Sequence, residues 1–113
     1  MHEHHAVQNL VTQAIEKANQ QGIKTVKKVV FGLGELVGFD DVSIGLYFEQ
    51  MTSGTPLEGA SLEIRHHKPK LQCKDCSLVF EDPKREFKCP GCSSTNLSLV
   101  GGKEFSLESI SAE

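Results

Sequence analysis

Residues 73–92 read CKDCSLVFEDPKREFKCPGC and contain two C-x-x-C pairs separated by twelve residues. A two-residue spacer folds into a tight turn that aims both sulfurs at one point. Two such turns supply four thiolates at about 2.3 Å from one ion, in the tetrahedral arrangement that zinc prefers. Pro90-Gly91 suits the second turn. The spacing therefore predicts a zinc site with four ligands: Cys73, Cys76, Cys89 and Cys92.

Two other interpretations of these cysteines remain open. Four thiolates also bind iron in rubredoxin-like sites, and a C-x-x-C pair can act as a redox dithiol. A metal with four protein ligands has no open coordination position, so we expect it to be structural and not catalytic. Phe80 and Phe87 lie where a small ribbon could pack them beside the metal.

The residues before the cysteines predict a helix, a strand, a second helix and a second strand. The first helix has its apolar residues at helical spacing on one face: Val7, Leu10, Val11, Ala14, Ile15 and Ala18. Gly22 ends this helix. Residues 25–33 are rich in β-branched side chains and apolar on both faces, which predicts a central strand. Asp40 or Asp41 can cap the second helix, and residues 62–67 alternate as in a half-buried strand.

The residues after the cysteines return the chain to the first unit. Residues 105–110 predict a third strand, and their alternation slips at Ile110, which indicates a bulge. The predicted fold class is therefore α+β, with two helices and a three-stranded sheet formed by residues 1–69 and 102–113. A zinc-ribbon-like four-cysteine domain, residues 70–101, is inserted into this unit, and Pro69 and Gly101-Gly102 mark the crossings.

The composition limits the classes of protein that this chain could be. It has 113 residues, 38% of them hydrophobic and 24% charged, and a net charge of −3. It has no apolar run that could span a membrane, and its polar N-terminus does not resemble a signal peptide. We therefore expect a cytoplasmic protein, in which the cysteines are not structural disulfides.

The charge is unevenly distributed along the chain. Residues 68–103 contain seven Lys or Arg against four Asp or Glu, so this segment carries +3 and the remainder −6. This asymmetry keeps a nucleic-acid interpretation open. However, the basic residues are interleaved with acidic ones, and no Trp or Tyr is present there for base stacking.

The chain begins MHEHH, with three imidazoles beside the terminal amine. The amine of Met1 and the backbone nitrogen and Nδ1 of His2 can bind one ion together in two small chelate rings. A fourth nitrogen, such as the amide of Glu3, would complete a square. Square-planar nitrogen coordination suits nickel(II) or copper(II) far better than zinc. The other interpretation is that MHEHH is only a solvated chain end.

The order of these motifs resembles the HypA/HybF family of nickel metallochaperones. The resemblance rests on MHE at the start, an amphipathic helix, VVFGLGE, a capped FDD and the paired C-x-x-C motifs, and it covers essentially the whole chain. It implies a nickel-binding domain of two helices and three strands with an inserted zinc domain. It also implies transient nickel binding by Met1, His2 and Glu3, and structural zinc at the four cysteines.

The resemblance also implies partners and an activity. The partners would be HypB, which is the GTPase of the same pathway, the hydrogenase large subunit and, in some organisms, urease maturation proteins. We expect nickel delivery and not an enzyme, because we find no convincing nucleophile or acid–base pair. No membrane partner is expected. The alternative is a zinc-ribbon adaptor for protein or nucleic acid.

This chain departs from the family pattern directly after MHE. The family commonly continues with an apolar or aromatic residue and a serine, whereas His4 and His5 stand here. Either imidazole is a candidate additional nickel ligand. His66 and His67 are adjacent on a predicted strand, so they point to opposite faces and cannot reach one ion together.

Overall fold

The computed structural model describes residues 2–112. In chain order the elements are α1 (His2–Gln20), β1 (Lys28–Gly34), α2 (Asp41–Thr52), β2 (Ser61–His67), β3 (Lys70–Cys73), β4 (Val79–Phe80), β5 (Leu97–Gly101) and β6 (Phe105–Ser111). They form two separate three-stranded sheets, one in the order β2-β1-β6 and one in the order β4-β3-β5. The predicted α+β class is therefore confirmed. Neither helix between residues 2 and 112 combines the length and apolar content that a membrane crossing requires.

The first sheet carries the hydrophobic core. Strand β1 pairs in parallel with β2 and antiparallel with β6, so it is central, as its two apolar faces predict. Phe31 is fully buried at the centre, and its ring meets those of Phe48 and Phe105 edge to face. Both helices pack one apolar side against the face of the sheet that carries Phe31, whereas Val42 and Leu46 of α2 stay exposed.

The ends of the helices follow from local sequence. Gly22 adopts a φ of 69°, and the N–H groups of Gly22 and Ile23 donate to the carbonyls of Asn19 and Ala18. These two bonds form a Schellman motif, which explains why α1 ends there. At the start of α2, Asp40 is the N-cap, and its carboxylate accepts from the N–H of Ser43 at 3.0 Å.

Strand β6 contains the predicted bulge. Val30 lies opposite Ser109, but Phe31 lies opposite Leu107, so Glu108 is the extra residue. The bulge allows Leu107 and Ile110, three residues apart, both to pack against the core.

The second sheet has little core of its own. All of residues 70–101 are described, and only Cys73 and Cys89 among them are buried. Phe87 is 60% exposed, so the expectation that it packs beside the metal site is wrong. The reason is local, because the Asp82 carboxylate accepts from the N–H groups of Glu86 and Phe87 and holds this loop with Phe87 at a φ of 56°.

The two sheets are joined where three backbone segments meet. The N–H of Glu35 donates to the carbonyl of His67, and the N–H of Leu36 donates to that of Gly102, so the loop after β1 holds both connections. A Cβ at Gly34 would lie 2.3 Å from the backbone of Gly102, and one at Gly102 would lie 2.6 Å from Pro69. Glycine is required at both positions because the backbones approach so closely.

Candidate metal centres

The two C-x-x-C segments form turns of the same geometry. In the first, the N–H of Ser77 donates to the carbonyl of Cys73, and the N–H of Cys73 donates to that of Leu78. In the second, the bonds at the same offsets join Ser93 to Cys89 and Cys89 to Ser94. Ser77 and Ser93 both have a positive φ, of 67° and 62°. The repeated spacing thus produces two copies of one metal-binding turn.

These turns bring the four sulfurs together. All four Sγ atoms lie within 4.8 Å of one another, and the Cys73–Cys92 and Cys76–Cys89 pairs are each 3.5 Å apart. Four ligands at about 2.3 Å from a tetrahedral zinc ion would be about 3.8 Å apart. The cluster therefore has the size that a zinc ion fits, and no other cluster of three or more such ligands occurs in residues 2–112.

The electrostatics of the cluster also favour a cation. The N–H of Cys76 donates to Cys73 Sγ at 3.4 Å and lowers the pKa of the Cys73 thiol to about 6. At Cys92 the N–H of Ser94 favours the thiolate, but the sulfur of Cys73 and the other neighbours raise the pKa to about 12. Four adjacent sulfurs can all be thiolates only when a positive ion balances their charge.

The start of α1 is fastened to the start of α2. Met1 lies outside the described residues, so its predicted part in nickel binding stays a prediction. His2 is exposed on the first turn of α1. The Glu3 carboxylate accepts from the N–H of Asp40 at 2.8 Å, across 37 residues of sequence. The Glu3 carboxylate therefore joins the first turn of α1 to the N-cap of α2.

The two additional histidines differ in their surroundings. The His4 ring meets Tyr47 edge to face, with the ring centroids 5.2 Å apart. His5 is exposed, and its ring lies 5.8 Å from that of His4, centroid to centroid. His4 thus helps to hold α1 on α2, whereas His5 lies on the same side of the helix as His2 because the two are three residues apart.

His66 and His67 point to opposite faces of the sheet, as predicted. His66 Nε2 lies 2.8 Å from Asp41 Oδ2, and His67 Nε2 lies 2.6 Å from Glu108 Oε2. The second pair crosses over β1 at Gly32, where a Cβ would lie 2.2 Å from the Glu108 carboxylate. Each histidine pairs with a carboxylate on another element. Neither belongs to a group of three or more candidate metal ligands within residues 2–112.

The fold and the cysteine cluster define a small α+β protein that carries a four-thiolate metal site. The family described as "Hydrogenase/urease nickel incorporation, metallochaperone, hypA" matches residues 1–112. The chain therefore belongs to the HypA family of nickel metallochaperones, which act in hydrogenase maturation.

Individual relatives agree with this assignment. The chain is 38% identical to hydrogenase maturation factor HypA of Caldanaerobacter subterraneus subsp. tengcongensis over 100% of both chains. It is 34% identical to HypA of Aquifex aeolicus, over 100% of this chain and 98% of the relative. A solution structure of a HypA protein superposes with a TM-score of 0.80 at 32% identity, over 100% of this chain and 98% of that chain. The Ni metallochaperone HypA from Helicobacter pylori superposes with a TM-score of 0.71 at 29% identity, over 96% and 95% of the two chains.

Proposed function

We propose that this protein captures Ni(II) at the start of its chain and delivers it during maturation of nickel–iron hydrogenase. The match of residues 1–112 to the nickel metallochaperone family carries this proposal. The nickel ligands would be the amine of Met1, the backbone nitrogen and imidazole of His2, and the backbone nitrogen of Glu3. No enzymatic activity is part of the proposal.

The local structure supports this ligand set. Helix α1 begins at His2, and the first N–H groups of a helix have no intrahelical acceptor. The backbone nitrogens of His2 and Glu3 are therefore not committed to the helix and can turn to a metal. The Glu3–Asp40 bond fixes the first turn beneath them. His5 is the better placed of the two additional candidate ligands, because the ring of His4 packs on Tyr47.

We further propose that Cys73, Cys76, Cys89 and Cys92 bind a structural Zn(II). The four neighbouring sulfurs support this ion, and their number leaves no position for a substrate. The domain division that we propose is 1–69 with 102–113 for the nickel domain and 70–101 for the zinc domain. The separate sheets β2-β1-β6 and β4-β3-β5 support it.

The proposed partners are the GTPase HypB and the hydrogenase large subunit, in the cytoplasm, with urease maturation proteins as further clients. These partners follow from the family resemblance. Release of nickel would require the partner to reach the start of α1, which lies on the surface because His2, His4 and His5 are all exposed.

The proposal is tested by calorimetric nickel titration of untagged protein with its native N-terminus. Four proteins are compared: native, extended by one residue before Met1, His2→Ala and His5→Ala. Loss of a group that only hydrogen-bonds to a metal ligand lowers metal affinity about 10–100-fold. The extension and His2→Ala each remove a ligand itself, so each should lower nickel affinity by at least that factor. Native affinity should also fall as the pH drops through about 6.5, because a protonated imidazole cannot bind metal.

The His5→Ala protein serves as the matched control, since it removes an imidazole from the same cluster without touching the chelate. This substitution should weaken nickel binding less than His2→Ala does, because the His5 ring could join the Met1–His2 chelate only through a larger ring. Unchanged affinity of the extended protein would show that the terminal amine is not a ligand. MHEHH would then bind nickel through its imidazoles alone, as an ordinary histidine cluster does.

A further inference from the structure

Strand β2 has one open edge in the part of the chain that is described. It is the outermost strand of the sheet β2-β1-β6. The N–H of Ser61 donates to Lys27 and the carbonyl of His67 accepts from Glu35, so the odd-numbered residues of β2 direct their backbone groups toward β1. Because direction alternates along a strand, Leu62, Ile64 and His66 direct their N–H and C=O groups away from the sheet. These groups form a row to which another strand could pair.

Charged side chains do not protect this edge. Arg65 bonds to Glu63 at 2.8 Å, and Glu63 also pairs with Lys28 of β1 at 2.7 Å. These residues lie on the face of the sheet opposite the helices, and Arg65 also lies 3.9 Å from Glu108 of β6, so its side chain reaches inward across β1. Surface charges that usually discourage pairing at an edge are thus directed away from it.

Helix α2 forms a wall beside the open edge. Asp41 at its start contacts His66 at the end of β2, so the helix runs antiparallel to the strand. Near the other end, α2 and the start of β2 enclose a pocket of about 550 Å³ whose lining includes Gly45, Phe48, Glu49, Ala60 and Leu62. A Cβ at Gly45 would meet nothing within 4 Å, which shows that this part of the wall is recessed.

The wall presents one exposed apolar side chain and an acidic rim. Val42 is 69% exposed and lies on the same side of α2 as Gly45 and Glu49, at i, i+3 and i+7. Glu49 and Glu58 both line the pocket, and its lining contains no Lys, Arg or His. The edge and wall together therefore complement an extended segment that carries an apolar side chain flanked by basic ones.

We propose that the groove between β2 and α2 is a docking site for an extended, basic segment of a protein partner, which adds a strand to the open edge of β2. The partner's backbone pairs with Leu62, Ile64 and His66, one of its apolar side chains enters the pocket beside Gly45, and its cations face Glu49 and Glu58. We name this surface the β2 groove.

The position of the β2 groove gives it a part in nickel transfer, and this step rests on the proposed function. At its far end His66 contacts Asp41. The preceding residue, Asp40, donates its N–H to the carboxylate of Glu3, which adjoins His2. A strand bound in the groove is thereby led to the first turn of α1. The nickel acceptor would be the partner that presents such a segment.

The test uses a short labelled peptide in which valine alternates with lysine, and a second peptide with glutamate in place of lysine. Amide hydrogen exchange should slow at Leu62, Ile64 and His66 with the lysine peptide, whereas Glu63 and Arg65, already bonded to β1, should change little. Glu49→Lys should weaken binding of the lysine peptide by about three- to tenfold, as expected when an attractive surface pair becomes repulsive. Glu16→Lys, which makes the same charge change on the exposed face of α1, is the matched control and should have no effect.

Absence of protection at the three edge amides would overturn the proposal, as would protection that Glu49→Lys leaves unchanged. Edge protection that appears without peptide and grows with protein concentration would show that a second copy of this chain occupies the groove, which also overturns it. Nickel titration of Glu49→Lys should match the native protein. If the native protein binds no nickel at its N-terminus but the peptide still protects the edge, the docking site stands and only its part in nickel transfer falls.

Discussion

The two regions of this molecule hold their structure by different means. The unit of α1, α2 and the sheet β2-β1-β6 has a continuous apolar core that is fully buried at Phe31, Ile44 and Leu57. Residues 70–101 bury only two side chains, Cys73 and Cys89, and leave Leu78, Val79 and Phe87 exposed. Burial stabilises the first region, whereas the second has four clustered, metal-binding cysteines where a core would be.

This difference reflects the size of each region. A segment of about thirty residues cannot bury enough apolar surface to offset the entropy of ordering its chain, so such segments usually need a metal or disulfides. The larger unit needs neither a metal nor a disulfide, because two helices cover the core face of its central strand.

Removal of the metal should produce the largest difference in order between the two regions. Structural zinc contributes about 10–16 kcal/mol in small domains, so Cys73→Ser or chelation should disorder residues 70–101. The amide signals of α1 and β1 should stay dispersed in NMR spectra, since β6 remains paired with β1 without help from the cysteines.

Thr95→Ala, an exposed change between the second pair of cysteines and β5, is the control and should leave both regions ordered. A single cooperative loss of all signals on chelation would mean that the core of the first unit depends on the metal. The contrast between the two regions would then be wrong.

Much of this contrast could be predicted from the sequence. The helical spacing of α1, the two apolar faces of β1 and the repeated C-x-x-C motif are local patterns, and each predicted its element. The slip of alternation at Ile110 predicted the bulge in β6. Such patterns are readable because each is set by residues that are neighbours in the chain.

Contacts between distant residues could not be predicted in this way. Glu3 accepts from Asp40 across 37 residues, and His66 contacts Asp41 across 25. These bonds depend on how α2 is placed against α1 and β2, which no local pattern specifies. Asp82 likewise holds Phe87 in a left-handed conformation that its residue type does not suggest.

The same substitution made once in each region should sharpen the comparison. Phe31→Ala removes a fully buried ring that packs against Phe48 and Phe105, and should cost about 3–5 kcal/mol of unfolding free energy. Phe87→Ala removes a ring that is 60% exposed and should change stability by less than about 0.5 kcal/mol. Denaturant unfolding with zinc bound measures both, followed by far-UV circular dichroism for Phe31→Ala and by the amide NMR signals of residues 70–101 for Phe87→Ala. Equal costs for the two variants would show that Phe87 packs in solution.

The smallest expected effect is an acid dependence that belongs to the first unit alone. Hydrogen bonds from Arg65 and Lys28 lower the pKa of Glu63 to about 2, from a usual value of 4.5. Since the folded pKa is the lower one, the unfolded chain binds more protons between these values, and the stabilisation is lost as the pH falls from about 4.5 to about 2. Glu63→Gln should therefore flatten the dependence of unfolding free energy on pH in this window.

Glu16→Gln, at an exposed position on α1, should leave that dependence unchanged. Helical circular dichroism is the right signal, because both helices belong to the first unit and loss of zinc in acid affects all three proteins alike. A native slope retained in Glu63→Gln would mean that the ion pairs over β1 do not form in solution, and that the charges beside the open edge of β2 are free to protect it.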